Sequence, residues 1–381
     1  MKKRCNIIGI KSSAYLTACL CLASAAAFDY GFLLSNDSRI EAIGNNSYYL
    51  NQQNEVSAWL KIPFGKGVSH YLAAEGLYRF EYDDRTSFDA NYADLQLFKY
   101  VWGTDTGRGF LEIDAGRFFT ADATSRIFAQ NADGLRVSFT GGQYAVQISG
   151  SYTGLLNGNI VKMRNAKDFD LPDDEKLYSL ADKYVNAMVT ATFPNVFLYQ
   201  SVSVQGIASV RINETMYNRF YGTISIAGPI YRSLMYDACA SMGFSQYDES
   251  VTISPFAKGT VSYYFTETAV NLDVLFAGKD FTGITSMTAY SSASEPEFTD
   301  ILMAGISVLS KPADVSLFSA GFDAVFDGTE QYEFKGCQYN LGVVLQIASD
   351  VQSSIDWIQY IDAHSSGEHY CELSFKAKLA L

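Results

Sequence analysis

Charged side chains recur on one phase of a two-residue alternation. Arg79, Arg136, Arg211, Arg219 and Lys258 share that phase with Glu75, Glu112, Asp114, Asp237, Asp273 and Asp323. Charges on one face of a sheet do one of two things. They pair with adjacent strands and hold the wall together, or they stay in water and set which ions pass. For any single residue, pairing is the plainer reading. As a set, Arg79, Glu112, Asp114, Arg136, Arg211, Arg219 and Lys258 are the candidates for a charged pore lining. Catalysis has less to stand on. Nucleophilic chemistry needs a His beside a Ser or an Asp. The three histidines are His70, His364 and His369, and none has a convincingly spaced nucleophile, although Ser365 and Ser366 lie near His369. No enzymatic activity is expected.

The elements that position these charges are β-strands. Leu72, Ala74, Gly76, Tyr78, Phe80 and Tyr82 take every second position, with Glu75, Leu77, Arg79 and Glu81 between them. Period two is the side-chain period of a strand. The beat returns in blocks of about ten residues, from Phe28–Ser35 to Cys371–Leu381. The fourth block runs from Asn91 to Trp102, with Asp94 and Gln96 opposite Leu95 and Leu97. Short turns are expected near Gly65, Gly142, Pro194–Asn195, Gly228–Pro229, Thr266, Lys311–Asp314 and Ser349, with a somewhat longer one at Gly103 to Gly109. Interleaved with them are long runs at Asn36 to Asn51, Ala121 to Asn131, Asn157 to Lys183 and Gly278 to Glu297. Short turns at one end and long loops at the other describe an all-β, transmembrane, antiparallel up-and-down barrel. The blocks predict about 16–18 strands, with 18 the direct count. An even number puts both chain ends on the short-turn side. A soluble sandwich or propeller also alternates, but no blade repeat or Pro-rich punctuation is visible.

The first 27 residues read as an export signal, which leaves 28–381 as one barrel domain. Met1–Arg4 is basic, Ala14 to Ala23 is a short apolar run, and Ala25–Ala27 offers small residues for cleavage. A lipoprotein box at Leu16–Cys19 is the lesser alternative. Removing that segment takes away four bases and no acids, so the formal charge moves from −13 to −17. Nucleic acid is therefore not an expected partner. No later stretch approaches the apolar length of a spanning helix. Cys239, Cys337 and Cys371 remain, far apart and odd in number, so neither a disulfide framework nor a zinc site is indicated. Asp168, Asp170, Asp173, Asp174 and Glu175 could hold calcium, but EF-hand spacing and its glycine are missing, and a solvated loop is the simpler reading. No cofactor or metal is expected.

The run Leu111–Phe118, a loop, and then Asn131–Phe139 resembles the middle of a porin. That resemblance implies that the loop after the fifth strand folds inward and narrows the lumen. Thr120 to Asp133 is then the constriction loop, with Asp122, Arg126 and Asp133 as its charges. The resemblance also implies an outer-membrane location, lipid around the wall, passage of small hydrophilic solutes and, commonly, homotrimers. Phe375–Leu381 resembles the terminal strand read by the barrel-assembly machinery, except that it ends in Leu. A fatty-acid-type or plugged transporter would need an N-terminal plug, and strand character begins already at Phe28. An adhesin or structural barrel remains the other reading. The acidic chain predicts a mild preference for cations.

Overall fold

The structure is a computed structural model. It describes residues 28–381 apart from 45–46, 65–68, 85–87, 162, 164–175, 213–215, 249, 280, 282, 286–299, 329–330 and 365–368. The expected signal segment and the Asp168–Glu175 cluster lie outside the described residues.

Eighteen strands follow one another without a helix among the described residues. They are β1 (Asp29–Ile43), β2 (Ser47–Pro63), β3 (His70–Asp83), β4 (Phe88–Asp105), β5 (Gly109–Ala121) and β6 (Ala129–Gly141). Next come β7 (Ala145–Tyr152), β8 (Tyr184–Phe197), β9 (Gln200–Arg211), β10 (Tyr217–Tyr231), β11 (Leu234–Tyr247) and β12 (Ser250–Tyr264). The last are β13 (Thr268–Ala277), β14 (Ile301–Ala313), β15 (Ser316–Asp327), β16 (Phe334–Ala348), β17 (Val351–Asp362) and β18 (Tyr370–Ala380). Each strand pairs antiparallel with the next, and β1 pairs with β18 from Leu33–Ala380 to Ile43–Tyr370. The sheet is thus a closed up-and-down barrel, and closure removes its edges. Both ends of the barrel chain lie on the short-turn side, where the Phe32 N–H donates to the Leu381 carbonyl at 2.9 Å.

Register assigns the two faces. Tyr78 and Tyr82 point outward and are exposed, while Leu77, on the opposite phase next to Tyr78, is buried. On β13, Leu272 and Val274 are about half exposed, and Asn271 and Asp273 point inward. Exposed aromatics gather on the outside near the short turns, among them Tyr30, Phe64, Tyr144, Tyr231, Tyr263 and Phe265.

Several boundaries differ from expectation. Asn36 to Asn51 is not a long loop. β1 and β2 stay paired from Asp29–Lys61 to Ile43–Ser47, because backbone ladder bonds do not depend on apolar side chains. Gly103 to Gly109 shrinks in the same way, since β4 and β5 pair as far as Asp105–Phe110. Pro194–Asn195 is a bulge inside β8, and the turn falls at Leu198–Tyr199, both left-handed. Gly228–Pro229 lies within β10, which turns at left-handed Arg232. Lys311–Ala313 ends β14 rather than turning it. On β4, Glu75 of β3 faces Leu97 while Gly76 faces Leu95. The extra residue, Gln96, is a bulge that reverses the phase. Leu95 therefore faces out and Leu97 faces in, not both out.

Candidate functional site: a hairpin folded into the lumen

The β5–β6 hairpin leaves the wall part-way along. β4 pairs with β5 only as far as Phe98–Arg117, and β6 with β7 only as far as Asp133–Tyr152. β5 and β6 stay paired with each other up to Ala121–Ala129. The departure point is a glycine pair, Gly116 opposite Gly134. Gly116 has φ +121°, and a Cβ there would stand 2.1 Å from the Phe98 carbonyl oxygen. A Cβ on Gly134 would stand 2.1 Å from the Gly150 oxygen. Only glycine lets these backbones pass so closely.

Arg117 holds the root. Its Nε and Nη2 donate to the two oxygens of Asp133, each at 2.8 Å, and Nη1 reaches Asp94 Oδ1 at 3.2 Å. It also donates to the carbonyls of Leu95 at 2.7 Å and Leu155 at 2.8 Å. One buried guanidinium thus ties β4, β6 and the β7–β8 connection together. The sequence pointed to Asp133 as a constriction charge and missed Arg117, whose neighbour Gly116 was the available signal.

The tip, residues 122–128, folds around Asp122. That carboxylate accepts hydrogen bonds from the Thr124 N–H at 2.7 Å, and from the Ile127 and Phe128 N–H groups at 2.9 Å each. Asp122 is 4% exposed, and its lone pairs are spent on the loop's own backbone. Arg126 is half-buried beside it, and burial lowers its guanidinium from the ordinary range while Asp122 opposes that shift. The tip reaches β9, where the Ala123 N–H donates to Gln205 Oε1 at 2.9 Å.

Two further connections meet it. The Ile284 N–H donates to the Ile127 carbonyl at 2.7 Å, and the Ala129 N–H to Thr285 Oγ1 at 3.0 Å. Asn157, in the β7–β8 connection, donates to the Ala93 carbonyl at 2.9 Å, and the Ala93 N–H donates to the Leu177 carbonyl at 3.0 Å. That connection occupies the edge of β4 which β5 vacates. Ile127, Phe128, Leu156, Met163, Phe281 and Ile284 are all 1% exposed or less and form an apolar knot inside the barrel. Arg219 on β10 anchors it, donating from Nη1 to the Gly283 carbonyl at 3.0 Å. Its guanidinium lies 4.4 Å from the Tyr217 ring centre and 5.3 Å from that of Tyr184.

The other expected lining residues sit on the inner phase and divide into two groups. Arg79 pairs with Glu55 at 3.0 Å, and Arg211 with Asp182 at 2.6 Å. Asp114 takes both Arg136 and Lys99. Across the lumen, Asp237, Asp273 and Asp323 lie along one lateral row of β11, β13 and β15, with Thr260 and Gly305 between them. These three and Asp356 make no ion pair among the described residues, nor do Glu75, Glu112 and Lys258. Thr260 donates to Asp273 at 2.6 Å, and Asn340 to Asp323 at 3.3 Å. The histidines stand apart: His70 begins β3, His364 contacts the Phe334 carbonyl at 2.8 Å, and His369 accepts from the Asp362 N–H at 3.1 Å.

Arg117→Ala leaves two carboxylates facing each other without a cation. It is expected to cost about 3–5 kcal/mol in denaturant unfolding of the folded barrel, and Arg117→Lys should recover only part, lacking the two-pronged contact. Gly134→Val is expected to lower the unfolding midpoint through backbone overlap with Gly150, whereas Gly150→Val, with open space around it, should not.

No protein-family model matches the chain, and no curated protein matches it. Solved structures do. OpdQ of Pseudomonas aeruginosa superposes with a TM-score of 0.62 at 10% identity, over 93% of this chain and 98% of that one. A BenF-like porin from Pseudomonas fluorescens Pf-5 gives 0.63 at 9%, over 93% and 98%. OpdK of Pseudomonas aeruginosa, solved with vanillate, gives 0.60 at 10%, over 93% and 98%. At these identities the likeness is one of fold: the chain has the closed barrel architecture found in these outer-membrane proteins.

Proposed function

We propose that the chain is an outer-membrane porin, a channel for passive diffusion of small hydrophilic solutes or ions. Residues 1–27 would export it, and the barrel-assembly machinery would insert it. The observation that carries this reading is the combination of an outward apolar phase with a closed 18-strand ring. Such an outer face is costly in water and suited to lipid, with aromatics near one rim. A ring of that size leaves an aqueous interior. The porin fold of the structural neighbours supports the same conclusion.

The knot formed by the hairpin and the two connections is the constriction. The solute path runs between it and the wall of β11–β17. That wall offers unpaired carboxylates, whereas the cations of β3–β6 are neutralised by Glu55, Asp114, Asp94 and Asp133. A lumen with surplus negative charge favours cations. Vanillate, found with one neighbour, is an anion, and the acidic wall here argues for a cationic or neutral solute instead.

In planar bilayers the purified protein is expected to give stable conductance steps, with a reversal potential in a salt gradient displaced toward the cation. Asp273→Asn combined with Asp323→Asn should reduce that displacement. A silent bilayer sinks the channel reading, and anion selectivity sinks the charge assignment alone. Leu272→Arg, placing a charge on the outer face, is expected to cost about 2–4 kcal/mol if it sits at the bilayer midplane, measured by unfolding from lipid vesicles.

A further inference from the structure

The cation that fastens the knot to the wall has no counter-ion. Arg219 is 0% exposed and makes no ion pair among the described residues. Nη1 donates to the Gly283 carbonyl, and the rings of Tyr217 and Tyr184 flank the guanidinium. Nε and Nη2 find no acceptor among the described residues. The neighbours of Arg219 along the inner wall are neutral. Register places Ser209 of β9 beside it and then Asn186 of β8. On the other side stand Ser245 of β11 and then Thr252 of β12. Asp182, two residues before Tyr184, is taken by Arg211 at 2.6 Å.

The unsatisfied atoms are gathered in one place. Ser209 is 0% and Asn186 4% exposed. The Ser209 hydroxyl and both ends of the Asn186 amide have no partner among the described residues. Five such atoms therefore belong to three consecutive positions of one lateral row, on strands about 4.8 Å apart. All but Asn186 Oδ1 can donate. The backbone here has nothing to offer them, because the β8–β9 and β9–β10 ladders run through these positions. A buried polar atom left unpaired is costly, and an uncompensated buried charge is costlier. Water would satisfy the donors but leave the guanidinium charge unbalanced. The row calls for an acceptor that carries negative charge.

We propose that Arg219, Ser209 and Asn186 hold one small monovalent anion, of halide size. The guanidinium supplies the charge and two charge-assisted donors, and the hydroxyl and the amide complete the set. One negative charge balances one guanidinium, whereas a phosphate or sulfate would carry surplus charge into a place closed to water. The ion joins two parts of the fold. Arg219 holds Gly283 of the β13–β14 connection with one nitrogen and the ion with the other two, while Ser209 and Asn186 hold the ion from β9 and β8. The constriction and the wall thus share one anion. The site is separate from the acidic row of β11–β15, and the inference does not rest on conductance or ion selectivity.

The test uses purified full-length protein in potassium chloride, potassium bromide or potassium gluconate at one ionic strength, so that surface screening is equal. An anion bound only by the folded state lowers the unfolding constant by mass action. A tenfold rise in chloride, balanced by gluconate, is expected to lower that constant by up to about tenfold in urea unfolding. Ser209→Ala is expected to fold and to weaken the halide affinity read from this dependence by about tenfold or more, the loss of one donor to a charged acceptor. Crystals grown in potassium bromide should show an anomalous peak within hydrogen-bond reach of Arg219 Nε and Nη2. Water on those nitrogens in place of bromide overturns the proposal. So does an adventitious ion only, meaning a bromide peak there with the same unfolding constant in halide and gluconate. Should Ser209→Ala misfold, Asn186→Ala replaces it, and undiminished halide affinity in the variant that folds overturns the proposal as well. If neither folds, the two wild-type measurements decide.

Discussion

The constraint on which everything else depends is that each backbone ladder must find a partner. A strand exposed to lipid has no water to satisfy its amides, so the sheet must close on itself. Closure by the β1–β18 ladder explains why residues as polar as Asn36, Asp37, Ser38 and Arg39 are still strand. Their side chains do not ask for a sheet, but their neighbours' unpaired N–H and C=O groups do. The same constraint governs the inward hairpin. A hairpin that folds inward strips partners from β4 on one side and β7 on the other. The β7–β8 connection repairs the β4 side by hydrogen-bonding Ala93 through Leu177 and Asn157. The inward hairpin and the long connection are therefore two halves of one solution.

The buried ionic groups follow from that geometry. Where β5 parts from β4, a gap opens that no strand fills, and Arg117 fills it with donors aimed at four residues of three segments. Its charge is more than offset by Asp94 and Asp133, so the root presents no free cation. Asp122 is likewise consumed, though by backbone amides rather than a cation. Arg117, Asp133 and Asp122 thus serve the hairpin's own structure. On the opposite wall, Gly305 between Asp273 and Asp323 leaves room for the Asp323 carboxylate to lean across.

Strand existence, strand number and which face is apolar were legible in the sequence because they follow from a period of two, and that signal repeats. The failures have one cause: side-chain patterning reports the environment of side chains, not the pairing of the backbone. It broke at Gln96, where a bulge shifts phase within β4, and at Pro194–Asn195, where turn-forming residues sit inside a bulged strand. The inward loop could be anticipated by family resemblance, and Asp122, Arg126 and Asp133 do fall at its tip and root. Their individual bonds could not. Arg117 and Arg219 are defined by carbonyls of Leu155 and Gly283, which are distant in sequence, and no spacing rule links them.

The error at Asn36 to Asn51 is the most informative of these. That stretch reads as a loop because its outward positions are polar as well as its inward ones. Elsewhere the outer phase is mostly apolar, with single polar residues such as Gln359 between Trp357 and Ile361, so a cluster on the outside of β1 and β2 hides the strand pattern. The strand itself is unaffected, since the ladder forms regardless of side chain. The groups that broke the sequence pattern are the same groups left facing the apolar band. Within the sheet they answer one another across the ladder: the Asn36 amide donates to Asn54 Oδ1 and Ser38 Oγ to Asn36 Oδ1, so polar outward positions are compatible with a strand that the side-chain pattern alone conceals.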